Sequence, residues 1–246
     1  MTGMDNHSVR ARSFGQQASL YERLRPSYPA QAIDELLPRR GRRVVDVGAG
    51  TGKLTGALLR AGHTVVAVEP DPGMRATLIE QLPGVDAREG TGEALPLADR
   101  GADAICYGQS WHWVEPEAGA REARRVLTGD GVLALVWNVP DTRQPWVKDL
   151  ITITHPGQNP LQEMAPVVLT GFGPGTLVHT PWRQRLTPTE VVELVSTWSR
   201  IATSPPAARD ALLDAVRDVL TTHPDVAGST EIELPYVCVA YRYRLS

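Results

Sequence analysis

Residues 44–54 read VVDVGAGTGKL, a β-branched apolar run that contains one acid and leads into glycines at alternate positions. An apolar run of this kind, followed by glycines and then by an amphipathic stretch, predicts a buried strand, a tight turn and the start of a helix. Glycine-rich turns after such strands bind more than one class of ligand. At this point the turn is compatible with binding of a dinucleotide, a triphosphate or a third kind of ligand.

Apolar and amphipathic runs alternate through the first 138 residues. Strands are predicted at 44–48, 64–69, 85–89, 102–108 and 131–138, and helices at 51–61, 72–82 and 116–127. The strands are nearly continuous apolar runs, which indicates that helices cover both of their faces. The predicted fold class is therefore α/β: a Rossmann-like, doubly wound, mostly parallel sheet of seven strands with a helical and loop cap.

The pattern changes after residue 138. Residues 139–182 are rich in proline and glycine and are predicted to form a loop or cap. Two amphipathic helices follow, one opening with a capping box of Thr187 and Glu190 and the other with a serine cap near residue 204. We predict one domain with four parts: an N-terminal lid (1–30), a cofactor-binding core (31–138), a variable substrate cap (139–230) and a closing strand (231–246).

Composition limits the partners of the 246-residue chain. Its formal charge of −3 gives no basic footprint, which argues against a nucleic-acid partner. The sequence contains neither a signal peptide nor an apolar run of ~18 residues, so we expect a cytoplasmic protein without a membrane partner. Cys106 and Cys238 lie in predicted strands and are expected to be buried and reduced. No Cys/His spacing is typical of zinc, so no metal is expected.

Two common glycine-loop patterns do not fit the turn. A dinucleotide loop, G-x-G-x-x-G, would need a third glycine where Lys53 stands if it began at Gly48. A triphosphate loop, G-x-x-x-x-G-K followed by Ser or Thr, would need a glycine at Val47 and a hydroxyl at Leu54. Both patterns therefore fail at positions that their chemistry requires.

The remaining pattern is D-x-G-x-G-x-G, with Asp46, Gly48, Gly50 and Gly52. Glycines allow positive φ angles and a close approach of the backbone to a ligand, and the helix after them presents free N–H groups to a carboxylate. The next strand ends in Glu69, roughly 20 residues later, where an acid can accept two hydrogen bonds from a ribose diol. A simple tight turn and a solvated acid are the alternatives.

With these motifs the sequence resembles the class I S-adenosylmethionine-dependent methyltransferases over residues 10–140. VVDVGAGTG resembles their first motif and AVEPD their acidic second motif, and EGTGEALPLADRGADAICYGQSWHWVEP resembles the segment leading into the fourth and fifth strands. SFGQQASLYERLRPSYP and GQSWHWVEP resemble the subgroup related to the ubiquinone and trans-aconitate methyltransferases. The resemblance implies S-adenosylmethionine as the cofactor and S-adenosylhomocysteine as its product.

The resemblance also assigns cofactor contacts to matching positions. Gly48 and Gly50 are expected beneath the methionyl part of the cofactor, and Glu69 on its ribose hydroxyls. Asp46 is expected to order the turn and to meet the cofactor amine, directly or through water.

Further contacts are assigned to the adenine ring and to the cofactor carboxylate. Thr91, Gly92 and Glu93 stand where relatives have an Asp-Ala-Glu group beside the adenine, so Thr91 departs from the usual acid. Met74 is expected either on the adenine or in the core. Tyr21 and Arg25 are expected to approach the cofactor, with Arg25 paired to its carboxylate.

The segment Trp111-His112-Trp113 follows the fourth predicted strand, on the side of a parallel sheet where ligands bind. His112 is a candidate general base because histidine titrates near neutral pH. The alternative is that Trp111 and Trp113 pack while His112 only orders the loop or touches the cofactor. Trp111 and Trp113 are predicted to line the acceptor pocket, together with Trp137 and Asn138 at the end of the fifth strand.

The predicted function is transfer of a methyl group from S-adenosylmethionine to an O, N or C atom of a small molecule, in secondary metabolism. Such a displacement needs alignment and exclusion of water but no covalent enzyme intermediate, so the lack of a nucleophile motif does not argue against it. The absence of G-x-S-x-G argues against a hydrolase. A non-catalytic cofactor-binding regulator or partner protein and a nicotinamide dehydrogenase are the alternatives.

Overall fold

The computed structural model describes residues 23–161 and 164–246. The strands are β1 (Arg43–Val47), β2 (Thr64–Val68), β3 (Asp86–Arg88), β4 (Ala102–Gly108), β5 (Leu127–Pro140), β6 (Thr176–Leu186) and β7 (Ile232–Arg244). The helices are α1 (Ala30–Leu36), α2 (Lys53–Arg60), α3 (Pro72–Gln81), α4 (Pro116–Val126), α5 (Pro145–Thr154), α6 (Pro188–Ser196), α7 (Ser199–Ala202) and α8 (Pro206–Thr222).

The seven strands form one sheet in the order β3-β2-β1-β4-β5-β7-β6. Strand β1 pairs in parallel with β2 and β4, β2 with β3, and β4 with β5. From β1 the chain builds outward to β3 and then returns to the other side of β1, so the strand order reverses between β1 and β4. In doubly wound sheets, ligands bind outside the carboxyl ends of the strands at this reversal. The predicted Rossmann-like fold is confirmed.

The chain divides into two compact units. The core unit comprises Ser27–Val139, Met164–Trp182 and Val237–Ser246. The second unit comprises, among the described residues, 23–26, 140–161 and Arg183–Tyr236. The core unit holds every predicted site residue except Tyr21 and Arg25. The division into lid, core, cap and closing strand stays a prediction.

Small apolar side chains from the strands pack against α1 and α2 in the core unit. Ile33 and Leu58 from these helices lie in one buried cluster with Ala104 and with both cysteines. Cys106 and Cys238 are buried and unbridged, as predicted. Burial, the largest effect, raises the pKa of both thiols well above the usual range, so both remain protonated and apolar in character.

The region predicted as loop or cap contains regular structure. Helix α5 begins at Pro145, whose fixed φ suits the first helical position, and it buries Trp146, Val147 and Leu150 on one face. Strand β6 occupies the end of the same region, and its inward-facing Val178 and Thr180 alternate with exposed residues. The proline and glycine content of residues 139–182 concealed both elements, because most of it lies in the segment between them.

Of the two predicted helix caps, one is confirmed and the other is wrong. Asp71 caps α3 by accepting from the Met74 N–H, and Thr187 forms the predicted capping box with Glu190 at α6. The predicted serine cap of α8 is wrong. That helix begins at Pro206 without a side-chain cap, and the Ser204 hydroxyl donates to the Arg200 carbonyl.

The described residues offer neither a membrane-spanning helix nor a metal-binding cluster. None of the helices in residues 23–161 and 164–246 is both long enough and apolar enough to cross a membrane. The same residues contain no group of three or more His, Cys, Asp or Glu side chains placed to hold a metal ion.

Candidate active site

The glycine turn after β1 has a backbone that side chains rarely adopt. Gly48, Gly50 and Gly52 have φ angles of +66°, +57° and +95°. A Cβ on Gly48 would lie 2.6 Å from the Ser110 Cβ, whereas a Cβ on Gly50 would meet nothing within 4 Å. Position 48 therefore needs glycine because of its protein neighbour. The space beside Gly50 is open to a ligand.

Glu69, at the end of β2, is joined directly to the glycine turn. Its side chain is buried, with Oε2 accepting from the Gly50 N–H at 2.8 Å and Oε1 accepting from the Asp71 N–H at 2.9 Å. Each carboxylate oxygen can accept a further hydrogen bond. The acid is thus held in one orientation and keeps the capacity to receive two hydroxyl donors.

Asp46 lies fully buried beneath the same turn. Its Oδ2 accepts from the Thr55 hydroxyl at 2.6 Å, while its Oδ1 has no partner among the described residues. Burial raises the pKa of Asp46 to about 7; the Thr55 hydrogen bond opposes this shift and the charge of Glu69 adds to it. A buried acceptor without a partner is costly, and an ammonium group or a water molecule would satisfy it.

The Thr51 hydroxyl is a second buried polar atom of the glycine turn without a partner in the described part of the chain. Thr51 is only 3% exposed. The sequence analysis did not single out Thr51, because threonine occurs in many turns. No sequence pattern indicates that a hydroxyl will be buried without a hydrogen-bond partner.

Residues 91–93 form the segment that the resemblance places beside the adenine. The Gly92 carbonyl accepts from the Tyr107 hydroxyl at 3.4 Å, and the Glu93 carboxylate accepts from the Glu115 N–H at 2.9 Å. Burial, the largest single effect on Glu93, favours a higher pKa. Hydrogen bonds from the Glu115 N–H and the Thr91 hydroxyl outweigh it, so the pKa of Glu93 is lowered. These contacts fix the segment against β4 and α4.

Met74 lies in the first turn of α3 and is 39% exposed. The alternative that it is a buried core methionine is therefore wrong. Its contact with the adenine stays a prediction.

The chain leaves β4 through a strained residue that the sequence analysis did not single out. Gln109 has a φ of +58°, which is uncommon for a residue with a side chain. The side-chain amide of Gln109 donates from Nε2 to the Asn138 backbone carbonyl at 2.9 Å. The next residue, Ser110, donates its hydroxyl to the Val47 carbonyl at 2.6 Å. Together these contacts join the ends of β1, β4 and β5.

The predicted aromatic cluster forms a 3-10 turn over Trp111–Trp113. Trp111 is buried edge-on against Tyr107, with ring centroids 4.8 Å apart, whereas Trp113 is 79% exposed. The His112 ring lies 4.9 Å from the Trp113 ring. Burial lowers the pKa of His112, so this imidazole is neutral at pH 7 and is able to accept a proton.

Trp137 is half-buried near the end of β5, and Asn138 beside it is buried. The Asn138 amide group is used within the core unit: its Nδ2 donates to the Ser27 carbonyl, and its Oδ1 accepts from the Trp182 indole N–H, both at 3.0 Å. Asn138 therefore ties the segment before α1 to the end of β5 and to β6. The predicted contact of Trp137 and Asn138 with an acceptor stays a prediction.

The two remaining predicted residues precede the core unit. Tyr21 lies outside the described residues. Arg25 belongs to the second unit, where its guanidinium donates to the Thr197 hydroxyl at 3.1 Å and to the Thr197 carbonyl at 2.8 Å. The role that the resemblance gives to Arg25, a contact with the cofactor carboxylate, stays a prediction.

The structure therefore brings Asp46, Gly48, Gly50 and Glu69 together at the ends of β1 and β2, at one side of the strand-order reversal. These residues offer a fixed carboxylate, a second buried carboxylate with a free acceptor atom, and open space beside a glycine. The set suits a ligand that carries a diol and an ammonium group. S-adenosylmethionine has both, so the residues present fit this cofactor.

Comparison with known proteins shows the family of this chain. The methyltransferase-domain family model matches residues 45–135. An uncharacterized methyltransferase of Mycobacterium tuberculosis is 44% identical over 237 residues, which cover 95% of this chain and 96% of that relative. An uncharacterized methyltransferase of Schizosaccharomyces pombe is 28% identical over 240 residues, covering 94% and 96%.

Solved structures share the fold at low sequence identity. A putative type II methyltransferase from Anaeromyxobacter dehalogenans matches with a TM-score of 0.62 at 18% identity, covering 89% of this chain and 96% of that one. A putative methyltransferase from an antibiotic biosynthesis pathway of Anabaena variabilis matches with a TM-score of 0.59 at 22% identity, covering 86% and 95%.

The fold is that of a Rossmann-like protein, and the candidate site lies at the carboxyl ends of its parallel strands. The chain belongs to the methyltransferase family and is an S-adenosylmethionine-dependent methyltransferase.

Proposed function

We propose that the core unit binds S-adenosylmethionine at the glycine turn and that the enzyme transfers its methyl group to an O, N or C atom of a small molecule. The observation that carries the proposal is the contact between Glu69 and Gly50. The Gly50 N–H donates to the buried Glu69 carboxylate, and the space beside the Gly50 Cα is open. This arrangement provides a sugar-binding acid and a place for the ligand side by side.

Each part of the cofactor has a proposed partner. Glu69 accepts from the two ribose hydroxyls, and Gly48 and Gly50 lie beneath the methionyl chain. Asp46 meets the amine, directly or through water, with its unpartnered Oδ1. The adenine lies between Met74 and residues 91–93.

The cofactor, when bound, supplies a methyl carbon that is already activated by its sulfonium. The protein has to align the acceptor with that carbon, exclude water and, for some acceptors, remove a proton. We assign proton removal to His112, because it follows β4 on the side of the sheet where ligands bind and its pKa, lowered by burial, leaves a ring nitrogen free to accept a proton at pH 7. Trp111, Trp113 and Trp137 are proposed to shape the acceptor site.

The acceptor is proposed to be a small molecule of secondary metabolism. The net charge of −3 gives no support to a nucleic-acid acceptor. Residues 139–230 are proposed to determine which acceptor is used, and residues 1–30 to act as a lid. Motifs such as GQSWHWVEP support a place in the subgroup related to the ubiquinone and trans-aconitate methyltransferases.

Incubation with methyl-labelled S-adenosylmethionine and a small-molecule extract tests the proposal. We expect label to appear in the small-molecule fraction with the folded enzyme and not with heat-denatured enzyme. Label that appears only in protein or nucleic acid would contradict it.

The pH dependence of cofactor binding follows from Asp46. Its pKa of about 7 in the free protein lies above the unperturbed value, so the acid is partly protonated at neutral pH. An ammonium group favours the ionised form, and binding should therefore release a proton. We expect the affinity for S-adenosylhomocysteine to rise as the pH rises from about 6 to 8.

Calorimetry in two buffers of different ionisation enthalpy measures both the affinity and the released proton. The Asp46→Asn variant should bind with a nearly flat pH profile and without this proton release. A wild-type affinity that is constant or falls between pH 6 and 8 would contradict the role of Asp46.

The His112→Ala variant tests the proposed base. We expect turnover to fall by roughly 10²–10⁴-fold, the usual contribution of general-base catalysis, while the Kd for S-adenosylhomocysteine changes little. Initial rates on the identified acceptor and calorimetry with the product measure the two effects. Unchanged turnover in this variant would assign His112 a structural role instead.

A further inference from the structure

We propose that Arg75 is a positioning residue that couples ribose binding to adenine binding, by tying the turn of residues 69–71 to the segment of residues 89–93. This inference rests on the proposed function, since it concerns the same cofactor. Arg75 lies in α3, outside the motifs that the sequence analysis singled out.

The Arg75 guanidinium connects two segments that contribute to the site. Its Nη1 donates to the Glu69 carbonyl at 2.6 Å and to the Pro70 carbonyl at 3.3 Å. Its Nη2 pairs with the Glu89 carboxylate at 3.1 Å. The Arg75 side chain is only 18% exposed, whereas that of Glu89 is 77% exposed. One cation thus contacts both Glu69, the proposed ribose-binding residue, and Glu89, which lies two residues before the segment 91–93 proposed to lie beside the adenine.

The turn after β2 depends on a donor from outside. Pro70 has no N–H, so this residue cannot donate a hydrogen bond of its own. The Asp71 N–H is already used on the Glu69 carboxylate. Arg75 donates to two successive carbonyls of the turn, and this contact fixes the direction in which the Glu69 side chain leaves the backbone.

The adenine segment is equally constrained at its start. A Cβ on Gly90 would lie 2.8 Å from Pro96 Cδ and 3.0 Å from Val68 Cγ1, so the chain passes close against the end of β2. Glu89, just before this close approach, carries the pairing with Arg75. A displacement of the Arg75 guanidinium would therefore disturb both the residues proposed to bind the ribose and those proposed to lie beside the adenine.

The fork of an arginine suits this task better than an ammonium group. A guanidinium presents several N–H donors in a fixed plane and can reach two carbonyls and a carboxylate together. A lysine carries all of its N–H donors on one nitrogen and lacks the fixed spacing of Nη1 and Nη2, so it would not reach the carbonyls and the Glu89 carboxylate together. We expect Arg75→Lys to retain only part of the effect.

Calorimetry with S-adenosylhomocysteine on the full chain tests the inference. We expect Arg75→Met to raise the Kd about tenfold and Arg75→Lys to raise it less, as loss of one charged hydrogen bond predicts. Glu89→Gln should have a smaller effect, because it leaves the contacts with the two carbonyls in place. Thermal unfolding confirms that each variant is folded.

Arg43→Met is the matched control. Arg43 also makes an arginine–carboxylate pair in the core unit, with Asp103 at 2.9 Å, but it lies at the amino end of β1, away from the site. We expect the Kd of the Arg43→Met variant for S-adenosylhomocysteine to stay within twofold of the wild-type value. If Arg43→Met weakens binding as much as Arg75→Met does, the effect is general destabilisation and the inference is overturned.

The 2′-deoxyribose analogue of S-adenosylhomocysteine separates positioning from simple stability. The analogue lacks one hydroxyl for Glu69, so the penalty of Arg75→Met should shrink to about threefold or less. An equal penalty for both ligands, or an Arg75→Met Kd within twofold of wild type for S-adenosylhomocysteine, would overturn the inference. If the wild-type chain itself does not bind S-adenosylhomocysteine, the proposed function fails first.

Discussion

Replacing Glu69 by alanine is expected to raise the Kd for S-adenosylhomocysteine by about 100-fold or more. The variant loses two charge-assisted hydrogen bonds to the ribose, each of which contributes about 1.5–3 kcal/mol. It also loses the internal bonds to the Gly50 and Asp71 N–H groups, so the turn is no longer held in shape. Calorimetry at pH 7.5 measures the change, and every 1.4 kcal/mol corresponds to a factor of ten.

Glu80→Ala is the control for this variant. Glu80 is an exposed acid on α3, in the same unit, and it has no proposed role. We expect its Kd to be indistinguishable from that of wild type. If Glu69→Ala binds S-adenosylhomocysteine within threefold of wild type, the ribose is not held by Glu69.

Gly50→Ala is expected to abolish cofactor binding at a small cost in stability. The added methyl group meets no protein atom within 4 Å and would occupy the space proposed for the ligand. The φ of +57° costs a residue with a side chain about 1 kcal/mol, so the variant should remain folded. Calorimetry and thermal unfolding measure the two effects separately.

Gly62→Ala supplies a matched comparison. Gly62 lies just after α2 with a φ of +85°, and its Cβ would also meet nothing within 4 Å, but it precedes the amino end of β2, away from the site. We expect similar destabilisation in both variants and loss of binding only in Gly50→Ala. Equal binding in the two alanine variants would show that no ligand lies against Gly50.

The sequence predicted the parts of the fold and site that depend on local patterns. Alternating apolar strands and amphipathic helices specify a parallel doubly wound sheet, because each pattern is contained within one element. The turn from Asp46 to Gly52 was recognisable because positive φ angles require glycine. Glu69 was recognisable because the second strand of such a sheet ends beside that turn.

Contacts between distant residues were not predictable in the same way. The Asn138 side-chain amide bonds with Ser27 and Trp182, which lie far away in the sequence, and no sequence pattern indicated these contacts. The strain at Gln109 likewise depends on how β4 meets β5. No periodicity or spacing encodes such contacts, since they arise only when the sheet is assembled.

The region from residue 139 to 182 was misjudged for a related reason. Helix α5 and strand β6 are separated by a segment whose prolines and glycines dominate the composition of the whole region. Averaging over the region hides two short ordered elements. The apolar stripe of α5 and the alternation in β6 are visible only when each is read within its own bounds.

Equilibrium dialysis of the wild-type chain against labelled S-adenosylmethionine tests most directly whether the turn after β1, with Glu69 beside it, holds this cofactor. We predict saturable retention of one cofactor per chain, displaced by S-adenosylhomocysteine and lost in Gly50→Ala. A chain that circular dichroism shows to be folded, yet retains no label at any concentration up to the millimolar range, would contradict the proposed site.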